Sequence, residues 1–140
     1  NKKAWFATKF QMSDVVQSDF QMGIVIVDTT PLDATDGIYF QKDDGAATID
    51  VYVRKDATTG SNKATAVATI VAATDIILSW YYDGAGRLSY GVNGVTIGYM
   101  DASSTYLPDA TNLTVSMHVQ NGEAGVETMT VDYIMAAFER

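Results

Sequence analysis

The chain has 140 residues, 47% of them hydrophobic, with seventeen acids against nine bases and a formal charge of −8. That length supports one buried core, and the charge disfavours binding to nucleic acid or to anionic lipid by attraction. Without any cysteine, disulfide frameworks, thiolate zinc sites, iron–sulfur clusters and thiol nucleophiles are excluded.

Fourteen of the acids are Asp and three are Glu, a bias toward turns and strand ends. The longest apolar stretches, Gly23 to Val27 and Val67 to Ala73, are too short to span a bilayer, so no membrane partner is expected. The chain opens on Asn1 rather than Met. It is read as one domain over residues 1–140, trimmed or cut from something longer.

Period-two alternation recurs throughout, and no stretch sustains a capped amphipathic helix. Ala4 to Met12 sets Phe6, Thr8, Phe10 and Met12 on one face, predicted to meet the core, against Trp5, Ala7, Lys9 and Gln11. Phe20 to Val27 is apolar on both faces apart from Gln21, which suits a central strand covered on both sides. The loop from Asp28 to Asp36 breaks it, and Gly37 releases a strand from Ile38 to Lys42. Asp43-Asp44-Gly45 turns the chain into Thr48 to Lys55, where Ile49, Val51 and Val53 alternate against Asp50, Tyr52 and Arg54. Asp56 to Asn62 reads as a loop, followed by a small-residue strand from Ala64 to Ala72.

Thr74 to Met100 predicts a three-strand meander. Ile76, Leu78, Trp80 and Tyr82 share its first apolar face, and Asp83-Gly84-Ala85-Gly86 is the first turn. Asn93-Gly94 is the second, a pair suited to a type I′ turn because both central residues need positive φ. Leu113, Val115, Met117 and Val119 then face away from Thr114, Ser116, His118 and Gln120. A turn around Asn121 to Gly125 leads to a last strand, Val126 to Phe138, with Met129, Val131, Tyr133 and Met135 as its apolar face. About ten short strands predict an all-β, two-sheet antiparallel sandwich or jelly roll.

Little in the chain points to catalysis. The single histidine, His118, falls on a polar strand face and reads as a solvated sheet residue; no second histidine exists for a zinc site or a triad. Glu123 and Glu127 are the pair a glycosidase would use. They flank a glycine-containing turn, and the Glu-x-Asp-x-x-Glu signature of two-sheet hydrolases is missing. Asp28, Asp33 and Asp36 share one loop and could offer oxygens to calcium, against the plainer reading as Asx turns. No cofactor is expected. Tyr52, Tyr81 and Tyr99 are the surface aromatics that could stack on a sugar ring. Lys2 and Lys3 form the one basic excess, available to an acidic partner or else part of a frayed terminus.

From Trp80-Tyr81-Tyr82-Asp83-Gly84-Ala85-Gly86-Arg87-Leu88 through Val92-Asn93-Gly94-Val95, the sequence resembles the central hairpin of concanavalin A-like and laminin G-like jelly rolls. Trp5 to Phe10 is similar to their opening strand, Phe20 to Val27 to the next, and Asp36-Gly37-Ile38-Tyr39-Phe40 to their "Asp-Gly-apolar" strand start. Val119 to Ala124, Thr130 to Ile134 and Phe138-Glu139-Arg140 resemble virion proteins of tailed bacteriophages that use this jelly roll on the capsid surface. The resemblance implies a decoration, cement or head-fibre protein that binds the major capsid protein and stabilises the shell. It further implies a homo-oligomer, a trimer being one form. The metal and sugar ligands of legume-type lectins find no matching motif. The alternative reading is a carbohydrate-binding module of a phage fibre or secreted protein, using surface tyrosines and loop aspartates.

Overall fold

The computed structural model describes residues 2–27, 30, 32–57, 62–108 and 112–140. Ten strands follow one another: β1 (Ala4–Met12), β2 (Ser18–Ile26), β3 (Gly37–Lys42), β4 (Thr48–Arg54), β5 (Lys63–Thr69), β6 (Ile76–Tyr82), β7 (Arg87–Val92), β8 (Val95–Asp101), β9 (Leu113–Asn121) and β10 (Met129–Phe138). They form two antiparallel five-stranded sheets, one in the order β10-β1-β6-β7-β8 and the other β5-β4-β3-β2-β9. No α-helix occurs among the described residues. The all-β two-sheet jelly-roll expectation holds.

The core lies between the sheets and is built from alternate residues, because neighbouring side chains on a strand point to opposite faces. β1 sends Ala4, Phe6, Phe10 and Met12 inward, and β6 adds Ile76, Leu78, Trp80 and Tyr82; Phe20, Met22, Ile24, Ile38, Phe40, Ile49, Val51 and Val53 come from the other sheet. Phe10 meets Phe20 edge to face across the gap, centroids 5.3 Å apart. Thr8 is fully buried among them, and its hydroxyl donates to the Tyr133 carbonyl at 3.0 Å, which removes the penalty of an unpaired polar group.

The turns follow their predicted chemistry. Asn93 and Gly94 both have positive φ, 50° and 81°, as a type I′ hairpin requires. The Asp83 carboxylate accepts from the amides of Ala85 at 2.7 Å and Arg87 at 3.0 Å, and these bonds hold its pKa below the ordinary value.

Four expectations need correction. Tyr52 is not a surface aromatic: it is 7% exposed, stacked on Tyr39 at 5.1 Å with Lys63 Nζ 4.9 Å from its ring centre. A second small cluster of Val25, Ala34, Tyr39 and Tyr52 covers that outer face. It is pinned where Arg54 Nη1 donates to the Ala34 carbonyl at 3.0 Å. The strand expected from Ala64 to Ala72 ends at Thr69, and its register slips opposite Asp50. There Ala66, at φ 52°, donates its amide to the Asp50 carboxylate at 2.8 Å.

The apolar face assigned to the last strand changes partway along. Opposite Lys9 and Phe10 the register shifts, leaving Asp132 as the extra residue of a bulge, and a one-residue slip exchanges the faces. Met129 and Val131 align with the inward Met12 and Phe10, but beyond the bulge Ile134, Ala136 and Phe138 align with Thr8, Phe6 and Ala4. Tyr133 and Met135 thus turn outward. Finally, His118 is half-buried on β9 opposite Gln21 rather than solvated.

Candidate ligand-binding face

The strand register assembles a row of side chains across the outer face of the sheet that contains β1 and β6. Ala137 lies opposite Trp5, Trp5 opposite Tyr81, Tyr81 opposite Ser89, and Ser89 opposite Tyr99. The next row holds Met135, Ala7, Ser79, Gly91 and Thr96. Aromatic rings thus stand beside a strip of small residues.

Trp5 and Tyr81 stack with centroids 5.2 Å apart and planes at 27°. Tyr99 is 58% exposed, and the Arg87 guanidinium lies 3.7 Å from its ring centre, a cation–π contact that orients both groups. A hollow of about 190 Å³ is lined by Tyr81, Asp83, Arg87, Ser89 and Tyr99. A second, of about 220 Å³, adjoins it at Tyr81 and Ser89 and extends over Trp5, Ser79, Gly91 and Met135. Gly91 keeps this floor low, since a Cβ there would sit 2.8 Å from the Val95 carbonyl oxygen and 3.2 Å from Ser79 Oγ.

The face therefore offers flat apolar rings, two hydroxyls from Ser79 and Ser89, one guanidinium, and the carboxylate of Asp83 held by two backbone amides. Exposed aromatics flanked by a few fixed polar groups suit a ligand with one apolar face and a rim of hydroxyls.

Of the residues singled out in the sequence, Tyr81 and Tyr99 belong to this face and Tyr52 lies buried on the other sheet. Trp5 and Arg87 were missed. Trp5 alternates out of the core in its own strand, but nothing local reveals that Tyr81, 76 positions later, pairs with it. Lys2 sits at the sandwich end beside Ala4, Trp80, Leu107 and Phe138. Lys3 is held rather than frayed: its carbonyl accepts from the Glu139 amide at 2.9 Å, and its own amide donates to Glu139 Oε2 at 3.2 Å.

Asp28 lies outside the described residues. Asp36 is buried, accepting from the Asp56 amide at 3.2 Å and from Thr35 Oγ1 at 2.9 Å, while Asp33 is exposed. No group of three or more metal-ligating side chains occurs among the described residues. Glu123 and Glu127 lie at the β9–β10 turn, and Glu127 Oε2 accepts from Ser13 Oγ at 2.8 Å.

No family model and no curated protein sequence matches the chain. Solved structures do share its architecture. An alginate lyase from Pseudomonas aeruginosa superposes with a TM-score of 0.65 at 13% identity, over 99% of this chain and 65% of that one. A protein of unknown function from Shewanella oneidensis gives 0.65 at 10% identity over 98% and 57%, so the chain spans less than two thirds of either protein. Sheep galectin-11, solved with glycerol, gives 0.57 at 12% identity over 96% and 90%. At such identities the likeness is one of fold: the chain is a jelly-roll sandwich of the kind these proteins share.

Proposed function

We propose that the domain is a non-catalytic carbohydrate-binding module that holds a glycan against the outer face of β1, β6, β7 and β8. The observation that carries the reading is the row Trp5, Tyr81, Ser89 and Tyr99, with Arg87 stacked on its last ring. Sugar rings would lie on the aromatic surfaces, and their hydroxyls would meet Arg87, Asp83 and the two serines. Fold neighbours that include a galectin, an alginate lyase and a glucuronan lyase support the ligand class. The charge of −8 favours neutral glycans over polyuronates, which it would repel. The test is a glycan array followed by calorimetry, with and without calcium. Specific binding lost in Tyr81→Ala and Tyr99→Ala supports the reading; no binding to any glycan, or binding unchanged in both variants, refutes it.

A second reading is a structural protein of tailed-bacteriophage virions, docked on the major capsid protein at the capsid surface. It is favoured by where the virion-like motifs fall: Val119 to Ala124 and Thr130 to Arg140 build the ends and edges of β9 and β10, the outermost strands on one side of the sandwich. An edge of that kind suits a protein whose work is assembly. The two readings use different surfaces and are compatible in one virion protein. Mass spectrometry of purified virions tests the second; absence of the chain, or unchanged shell stability after stripping it, refutes it.

A further inference from the structure

We propose that the side of the sandwich formed by β9 and β10 is a self-association surface, on which a second copy of the chain adds antiparallel about a two-fold axis, β10 beside β10. This stands apart from the glycan reading, because it uses the edge and not the outer face.

Both strands end their sheets, on the side away from the contact between β5 and β8; Leu113, Met117, Met129 and Ala136 pack on the core, but other inward residues of the two strands stay open. Val115 and Val119 align with the core residues Ile24 and Phe20 yet are 43% and 42% exposed. Ile134 and Phe138 align with Thr8 and Ala4 and are 39% and 59% exposed. Part of the inner face is thus open to solvent between the two edges. With Val131 these residues leave on the order of 400 Å² of apolar surface open, the scale that marks an interaction site on a soluble protein. It is about half of the ~800 Å² that each partner contributes to a standard interface, and the paired backbone and polar rim would add the rest.

Apart from the bulge at Asp132 in β10, the edges carry little of the usual protection. β9 carries no Lys, Arg, Asp, Glu or Pro. In β10 the bulge residue Asp132 is turned to Lys9 at 2.9 Å, and the six residues after it, Tyr133 to Phe138, have no charge, proline or glycine. Exposed strands of this composition pair with another strand unless charge or proline prevents it.

Charge selects the occupant and its direction. A chain of −8 approaches its own copy most easily through its least charged side. Along β10 the charges are also asymmetric: Glu123 and Glu127 precede the strand, while Arg140 follows it near Lys2 and Lys3 at the start of β1, where Glu139 offsets Lys3 and the end stays net basic. Antiparallel pairing lays the basic end of each copy along the acidic end of the other, which is the self-complementarity a two-fold interface requires. The same operation joins the two β1-containing sheets into one ten-stranded sheet and sets two glycan-binding faces side by side.

Sedimentation equilibrium of the 140-residue chain across a micromolar concentration range tests this. The expected result is twice the chain mass, reduced to the chain mass in Ile134→Lys. A double reversal of the acidic end, Glu123→Lys with Glu127→Lys, is expected to weaken the dimer at least tenfold even though it lowers the net charge; adding Lys2→Glu and Arg140→Glu restores it. A monomer at all concentrations, a trimer, or a dimer unaffected by reversing one end overturns the proposal. The charge-reversal arm keeps it falsifiable if Ile134→Lys does not fold.

Discussion

The stacked pair Trp5 and Tyr81 is predicted to be an energetic unit and not two independent surface side chains. The rings sit directly opposite each other on β1 and β6, 5.2 Å apart at 27°, and Trp5 is 38% exposed, so much of its surface is covered by neighbours. Aromatic pairs in this geometry couple by about 0.5–1.5 kcal/mol beyond their buried area, which is roughly a two- to tenfold change in the folding constant. Urea unfolding of wild type, Trp5→Ala, Tyr81→Ala and the double variant gives that coupling as the departure from additivity. Iodide quenching adds a local readout, because Trp80 is buried and Trp5 is the one accessible indole. Tyr81→Ala is expected to raise quenching without changing the far-ultraviolet spectrum. Additive variants, within about 0.3 kcal/mol, would refute the idea of a coupled platform and with it the pre-formed surface for a sugar ring.

Phe10→Ala, which removes a fully buried ring facing Phe20 across the sheets, should cost about 3–5 kcal/mol in urea unfolding. In acid, Asp14 and Asp83 have folded pKa values lowered by backbone amide donors, Gln17 and Val16 for Asp14 and Ala85 and Arg87 for Asp83. Their stabilisation is therefore fully present above the unfolded value of 3.8 and is lost as pH falls through the folded values. Asp14→Asn with Asp83→Asn should flatten the fall in Tm between pH 5 and pH 2. In base, burial lowers the pKa of Lys42, whose ammonium donates to the Ser18 and Asp43 carbonyls. The unfolded state then binds more protons between the folded value and 10.5, so this group's contribution to stability rises with pH across that window. Lys42→Met should remove that rise in urea unfolding as the pH is raised toward 10.5.

What the sequence determined by itself is local. Alternation placed Phe6, Phe10, Leu78, Trp80 and Tyr82 in the core, and Asn93-Gly94 supplied the positive φ pair of its hairpin. Both depend on residues within a few positions of one another, through the two-residue pleat and the backbone tolerance of Asn and Gly. The tertiary structure decided everything that depends on which strand lies beside which. Tyr52 looked outward until Tyr39 and Lys63 came to cover it. Tyr133 and Met135 looked inward until the bulge at Asp132 exchanged their face, a shift visible only from the register with β1. The candidate site is the clearest case, because Trp5 comes from a strand far in sequence from the meander that carries Tyr81 and Tyr99. Only the pairing of β1 with β6 turns them into one surface. The exposed edge has the same origin: β9 and β10 alternate like any buried strand, and it is their outermost position in each sheet that leaves their apolar residues open.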